Sequence, residues 1–143
     1  MARITPSLWS DSEAEDAARF YCEIFPDSQI TRVIPYLSEN PAGKAIGSAM
    51  VVDFVLDGLP YAGINGGPEF PFTEAISLQV NCADQGEVDY YWGRLTADGG
   101  QEGPCGWCKD RYGVSWQVVP EAWNQMADGD DAGVRRAMDV STR

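Results

Sequence analysis

The sequence predicts an α+β protein made of two βαβββ modules followed by short C-terminal helices. The order of one strand, one helix and three strands occurs twice, and the second copy follows the first at an offset of about 71 or 72 residues. The 143 residues suit one domain, and 44% hydrophobic residues supply a core. We assign 3–66 to the first module, 74–119 to the second and 120–143 to a helical tail.

The first module is predicted from a helix signal and alternating strands. Ser12 and Glu15 have the spacing of a capping box, which places a helix start there. Apolar residues then recur at three- and four-residue steps up to Phe25, and Pro26 ends the helix. Asp57-Gly58 predicts a hairpin turn. The predicted strands are 3–9, 29–37, 47–57 and 60–66.

The second module repeats these signals. Asp84 and Glu87 have capping-box spacing, an apolar helical face follows over 88–95, and Gly99-Gly100 ends the helix. A turn is predicted at Tyr112-Gly113. The predicted strands are 74–82, 101–103, 106–111 and 113–119, and two further helices at 121–127 and 131–139 are expected to cover a sheet face or edge.

The charge and composition exclude several classes of protein. A net charge of -12 without a cluster of Lys or Arg would repel a phosphate backbone, so we expect no nucleic-acid partner. No apolar run reaches the length of a membrane span and no secretory signal is apparent, so we expect a cytoplasmic protein without a membrane partner. The four cysteines are too few for a disulfide framework and are interpreted as thiols.

Nine segments, distributed in order along the chain, together form a recognisable pattern. They are ITPSLW at 4–9, AARFY at 17–21, IFP at 24–26, NGGP at 65–68, EAIS at 74–77, VDYYW at 88–92, CGW at 105–107, KDRYG at 109–113 and SWQVVP at 115–120. This pattern resembles the PhnB-like proteins, also labelled 3-demethylubiquinone-9 3-methyltransferase-like. The resemblance implies membership of the vicinal oxygen chelate superfamily, with glyoxalase I, extradiol dioxygenases and bleomycin-resistance proteins. It also implies that the paired modules form a curved mixed-sheet cup, the glyoxalase/bleomycin resistance/dioxygenase fold, and that the protein is a homodimer.

The resemblance also indicates where a metal would lie. In metal-using members of the superfamily, the ligands come from the first and last strands of each module. The matching positions are Thr5, Asn65, Ser77 and Gln117, none of which is His, Asp or Glu. Because neutral hydroxyl and amide oxygens bind divalent transition metals weakly, we expect no metal and no cofactor.

Strand alternation gives an independent prediction of the ligand-binding face. It places polar side chains of both modules on the sheet faces that lie away from the helices, together with aromatic walls. These groups either satisfy one another and hold water, or they line a small-molecule site. Alternation places Thr5, Ser7 and Trp9, then Ser77, Gln79 and Asn81, and then Ser115, Gln117 and Val119 on this side. The resemblance adds Asn65, and Trp107 is a candidate aromatic wall. The predicted ligand-binding residues are Thr5, Ser7, Trp9, Asn65, Ser77, Gln79, Trp107 and Gln117.

Charged and sulfur-containing residues near this face are expected to be structural. Cys105 and Cys108 have the two-residue spacing of redox and zinc motifs, but they enter a predicted strand rather than a helix N-terminus. Solvated surface positions are expected for Asp53, Glu69, Glu74, Lys109 and Asp110.

Three functional hypotheses follow. The first is a metal-independent protein that encloses a small, partly aromatic molecule in the cup. The second is a metal-dependent enzyme, either a glyoxalase-like lyase or isomerase or a dioxygenase. The third is an interaction module whose hollow is filled by its own side chains. Methyl transfer is disfavoured, because the sequence has no glycine-rich strand-to-helix motif of the kind that Rossmann-like methyltransferases use for their cofactor.

Overall fold

The computed structural model describes residues 4–141, with the side chains of 4–139. The chain divides into two compact units, one ending at Pro71 and the other beginning at Phe72. Unit 1 contains β1 (Ser7–Ser10), α1 (Ala14–Ile24), β2 (Gln29–Pro35), β3 (Ala49–Leu56) and β4 (Leu59–Asn65). Unit 2 contains β5 (Leu78–Cys82), α2 (Gln85–Thr96), β6 (Gln101–Glu102), β7 (Trp107–Lys109), β8 (Ser115–Pro120), α3 (Glu121–Ala127) and α4 (Asp131–Ser141).

The two units share one sheet topology. The strand order is β1-β4-β3-β2 in the first sheet and β5-β8-β7-β6 in the second. In both sheets the first strand pairs in parallel with the last strand, and the other pairs are antiparallel. The predicted α+β architecture of two βαβββ modules is therefore confirmed, including the short strand at 101–103, which is observed at Gln101–Glu102.

Unit 1 packs α1 against one face of its sheet. Along β3, Val52, Phe54 and Leu56 are buried on this face, as the alternation predicts. The rings of Tyr21 and Phe54 lie 6.3 Å apart between their centroids. Because a Cβ at Gly63 would lie 2.9 Å from the Cβ of Ala14, the helix approaches β4 more closely than a larger side chain would permit.

The predicted capping box at the start of α1 is wrong. The helix begins at Ala14, its N-cap is Glu13, and no N-cap side chain caps it. The Glu15 carboxylate instead forms an ion pair with Arg19. The first helical amide, that of Ala14, donates to Asn65 Oδ1 at 2.9 Å, so a residue from the end of β4 supplies the acceptor.

Unit 2 packs α2 against its sheet in the same way. Asp84 is the N-cap of α2 and accepts a hydrogen bond from the Glu87 amide at 2.9 Å, which confirms the predicted capping residue. Leu95 of α2 and Trp116 of β8 are buried. The strand predicted at 74–82 begins only at Leu78, because 74–76 form a turn and a bend.

The two predicted C-terminal helices are present. Trp123 of α3 donates its Nε1–H to the carbonyl of Ala137 in α4 at 2.8 Å, which joins the two helices. Asn124 of α3 donates to Asn81 Oδ1 of β5 at 3.0 Å, so α3 is also attached to the sheet. Within residues 4–141, no helix has both the length and the hydropathy needed to cross a membrane.

Candidate functional site

The face of the second sheet that lies away from α2 brings together three of the predicted residues. In register, Gln117 of β8 lies opposite Gln79 of β5 on one side and Trp107 of β7 on the other. Paired residues of neighbouring strands share a face, so these three side chains project on the same side. We call this side the open face of the second sheet. Trp116 projects on the opposite side, where α2 packs.

Hydrogen bonds within the open face orient its carboxamides. Gln117 Nε2 donates to Ser77 Oγ at 2.9 Å, so Ser77 joins the cluster although it precedes β5. Gln79 Nε2 donates to Asn81 Oδ1 at 2.9 Å. Part of the polar face is therefore satisfied by hydrogen bonds between its own side chains. They also fix the side chains in one arrangement, which lowers the conformational cost of binding a ligand.

A cavity of about 340 Å³ lies on this open face. Gln79 and Gln117 contribute polar groups, and the indoles of Trp107 and Trp123 contribute apolar ones. Trp123 comes from α3, and the sequence-based site prediction missed it because periodicity in a short helix does not show what the helix covers. The volume is within the range of small-molecule sites, and the lining combines flat apolar walls with a few hydrogen-bonding groups.

A second cavity, of about 400 Å³, also borders Trp107. It is lined by Glu74, Lys109 and Ser115, among others, and Lys109 forms an ion pair with Glu74. The hydrogen bond from Lys109 holds the pKa of the Glu74 carboxyl below its ordinary value. Ser115 is 2% exposed, and its Oγ has no hydrogen-bond partner among the described residues. The ion pair and the residue that carries the buried hydroxyl therefore line one cavity.

Three predicted residues of the first module lie at or before β1. Thr5 is exposed and precedes the strand, and its carbonyl accepts from Ser7 Oγ at 3.3 Å. Trp9 is half-buried and donates its Nε1–H to the Gly67 carbonyl at 2.8 Å. Its ring contacts Phe70 edge-on, with 5.0 Å between the centroids. Ser7 and Trp9 lie on the face away from α1, as expected, while their ligand-binding role stays a prediction.

Asn65 does not lie on the face that the prediction requires. It pairs in register with Ser10, on the side of the sheet that carries Phe54 and contacts α1. The residue is 5% exposed. Its Oδ1 accepts from Ala14 N at 2.9 Å, and its Nδ2 donates to the Ala49 carbonyl at 3.0 Å. The Asn65 carboxamide thus hydrogen-bonds to backbone groups of its own module, and we do not include it in the candidate site.

Asp110 is buried, which corrects the prediction of a surface position. It is 2% exposed. Its Oδ1 accepts from the amides of Tyr112 at 2.8 Å and Val114 at 3.1 Å, and its Oδ2 accepts from Trp116 Nε1 at 2.8 Å. These three donors balance the burial of the carboxylate and hold the turn between β7 and β8.

The cysteines are free thiols. Burial, followed by the charges of Asp110 and Glu102, raises the pKa of Cys108 to about 11. Burial, with Glu87 and Asp84, raises the pKa of Cys82 to about 11. Both are therefore protonated and poorly nucleophilic at neutral pH. Across residues 4–141, no three His, Cys, Asp or Glu side chains are close enough together to hold a metal ion.

Comparison with known proteins identifies relatives over most of the chain. Residues 2–119 match the family described as 3-demethylubiquinone-9 3-methyltransferase. A PhnB protein of Bacillus cereus, described as a candidate 3-demethylubiquinone-9 3-methyltransferase, is 30% identical, with a TM-score of 0.73 over 83% of this chain and 99% of its own. Protein PA1353 of Pseudomonas aeruginosa is similar in fold, with 18% identity and a TM-score of 0.66 over 84% of this chain and 98% of its own. No curated protein matches the chain.

Proposed function

The chain belongs to the PhnB-like family described as 3-demethylubiquinone-9 3-methyltransferase, and from this membership we propose that it binds a small, partly aromatic molecule without a metal. One observation carries the proposal. Gln79, Trp107 and Gln117 come from three adjacent strands and border one cavity, which the indole of Trp123 also lines. This arrangement suits a ligand with a flat apolar part and groups that hydrogen-bond to carboxamides.

The family description mentions methyl transfer, but the connections between strand and helix favour binding alone. A Rossmann-like methyltransferase uses a glycine-rich turn after its first strand to approach the cofactor. The corresponding connections here contain Asp11, Ser12 and Glu13 before α1, and Ala83 and Asp84 before α2. We therefore propose recognition of a ligand rather than transfer of a methyl group to it.

Calorimetric titration with benzamide tests the proposal. Benzamide is neutral and combines a ring with a carboxamide, so it can stack on indole and hydrogen-bond to glutamine. Gln117→Leu is expected to weaken benzamide binding by about tenfold, since it removes the carboxamide that lies between Gln79 and Trp107. Gln125→Leu, at an exposed glutamine of α3, is the matched control and should leave the affinity unchanged. Equal affinities for the wild-type and Gln117→Leu proteins would overturn the proposal.

Metal analysis of the purified protein tests the metal-independent part of the proposal. Sub-stoichiometric nickel, zinc, iron and manganese are expected, because the predicted ligand positions offer only hydroxyl and amide oxygens. One equivalent of any of these metals, retained through dialysis, would instead favour the lyase, isomerase or dioxygenase hypothesis.

A further inference from the structure

The cavity that contains Lys109 has a distinct chemistry. The chain has 22 acidic against 10 basic side chains, and Lys109 is one of its two lysines. The Lys109 side chain is 32% exposed, and its ammonium contacts Glu74. A positive charge is thus present on the open face, within a cavity that also borders Trp107.

The Glu74 carboxylate that pairs with this lysine is exposed. It belongs to the turn before β5 rather than to the sheet, and 63% of its side chain is exposed. Exposed ion pairs contribute little to stability, so another carboxylate can replace this one at small cost. The other carboxylate at the cavity, that of Glu102, accepts a hydrogen bond from Trp92 Nε1 of α2 at 2.7 Å. Glu74 is therefore the exchangeable partner of Lys109.

Ser115 supplies a second, independent feature of the same cavity. It lies directly opposite Lys109 in the antiparallel pair of β7 and β8, so the two side chains are neighbours on the open face. Its hydroxyl is buried and has no partner among the residues the structure describes. A buried hydroxyl without a hydrogen bond is energetically unfavourable, and a ligand that accepts one from it relieves that cost.

We infer that this cavity is a carboxylate-binding subsite in which Glu74 occupies the place of the ligand. A ligand carboxylate replaces Glu74 on Lys109 through one oxygen and accepts a hydrogen bond from Ser115 through the other. The apolar remainder of the ligand lies against Trp107. The inference rests on the proposed function, because it narrows the ligands of the same open face to small carboxylates with an apolar or aromatic part.

Paired titrations with benzoate and benzamide test the inference, because the two probes share a ring and differ in charge. Glu74→Gln removes the internal carboxylate and should raise benzoate affinity several-fold without changing benzamide affinity. Lys109→Met and Ser115→Ala should each weaken benzoate binding by about tenfold or more, because each removes one partner of the carboxylate. Asp98→Asn is the matched control, since it opens the exposed ion pair with Arg111 elsewhere in unit 2.

The outcomes separate the subsite from the proposed function. Benzamide binding that depends on Gln117, together with benzoate binding that Glu74→Gln does not strengthen, would overturn the carboxylate subsite and leave the proposed function standing. An increase in benzoate affinity that Asp98→Asn reproduces would also overturn the subsite, because it would reflect only the general negative charge of the protein. Absence of binding by either probe up to about 10 mM in every variant would overturn both.

Discussion

Replacing Asn65 with leucine is expected to lower the free energy of unfolding by about 2 to 4 kcal/mol, because Asn65 anchors α1. The substitution removes the acceptor of the Ala14 amide and the donor to the Ala49 carbonyl. Ala14 is 3% exposed, so water cannot readily replace the lost acceptor. An unpaired buried amide costs about 1 to 3 kcal/mol, and the partly buried carbonyl adds a smaller amount.

Urea unfolding of the wild-type and Asn65→Leu proteins measures this loss. At a mid-range slope of about 2 kcal/mol per molar urea for a small domain, the midpoint should fall by about 1 to 2 M. Asn81→Leu is a matched control. Asn81 also takes part in two side-chain hydrogen bonds, from Gln79 and Asn124, but it is exposed. Its replacement should cost less than about 1 kcal/mol, because water can satisfy the groups left behind.

A loss below about 1 kcal/mol for Asn65→Leu, or one no larger than that of Asn81→Leu, would refute this account of Asn65. The variant should also retain the benzamide affinity of the wild type under conditions in which it is folded. A specific loss of affinity would instead return Asn65 to the ligand-binding residues and contradict its assignment as a structural anchor.

Three further predictions concern packing, pH and assembly. Gly66→Ala should lower the free energy of unfolding, measured in urea, by about 1 to 3 kcal/mol, because the added Cβ would lie 2.2 Å from the Trp9 ring. Gly93→Ala is the control and should be neutral or stabilising, because Gly93 is an exposed helical glycine with open space around it. In the folded state the pKa of Cys82 and of Cys108 is about 11, against 9.0 ordinarily. The contribution of the two protonated thiols to the free energy of unfolding is therefore fully present below about pH 9 and is lost as the pH rises towards 11. Urea unfolding over this window should show a shallower decline for the double alanine variant of these cysteines than for the wild type; equal declines would contradict it. The homodimer stays a prediction, and sedimentation equilibrium should give twice the mass of one chain; a monomer at micromolar concentration would count against it.

Local signals in the sequence were sufficient to predict the repeat and the side chains that lie on the open face of the second sheet. A strand reverses its side chains at every residue, so the apolar positions Val114, Trp116 and Val118 determine that Ser115, Gln117 and Val119 project the other way. The N-cap of α2 could also be predicted, because the acceptor, Asp84, and the donor, the Glu87 amide, are three residues apart in the sequence. These features depend on neighbours in the chain and need no tertiary information.

The features that the sequence did not reveal depend on distant contacts. The Ser12 cap was a reasonable prediction, but the acceptor for Ala14 comes from Asn65, 51 residues away. The side of β4 that contacts the helix could not be predicted from the sequence either, because the glycine at 63 packs against α1 while the apolar Ile64 lies on the opposite side. Asp110 resembles an ordinary turn residue until the turn brings its three donors together.

The two sheets have the same topology but differ in the chemistry of the face that lies away from the helix. In the first sheet, this face carries Val51, Val55 and Ile64 around the ion pair of Asp53 with Arg32. In the second, the equivalent face has carboxamides, a lysine and a buried hydroxyl around Trp107. Because a duplicated backbone does not determine which side chains it presents, the function has to be argued from the site rather than from the fold. The polar face of the second sheet is where ligand recognition is expected, and the subsite around Lys109 is where substitutions should change which ligands bind.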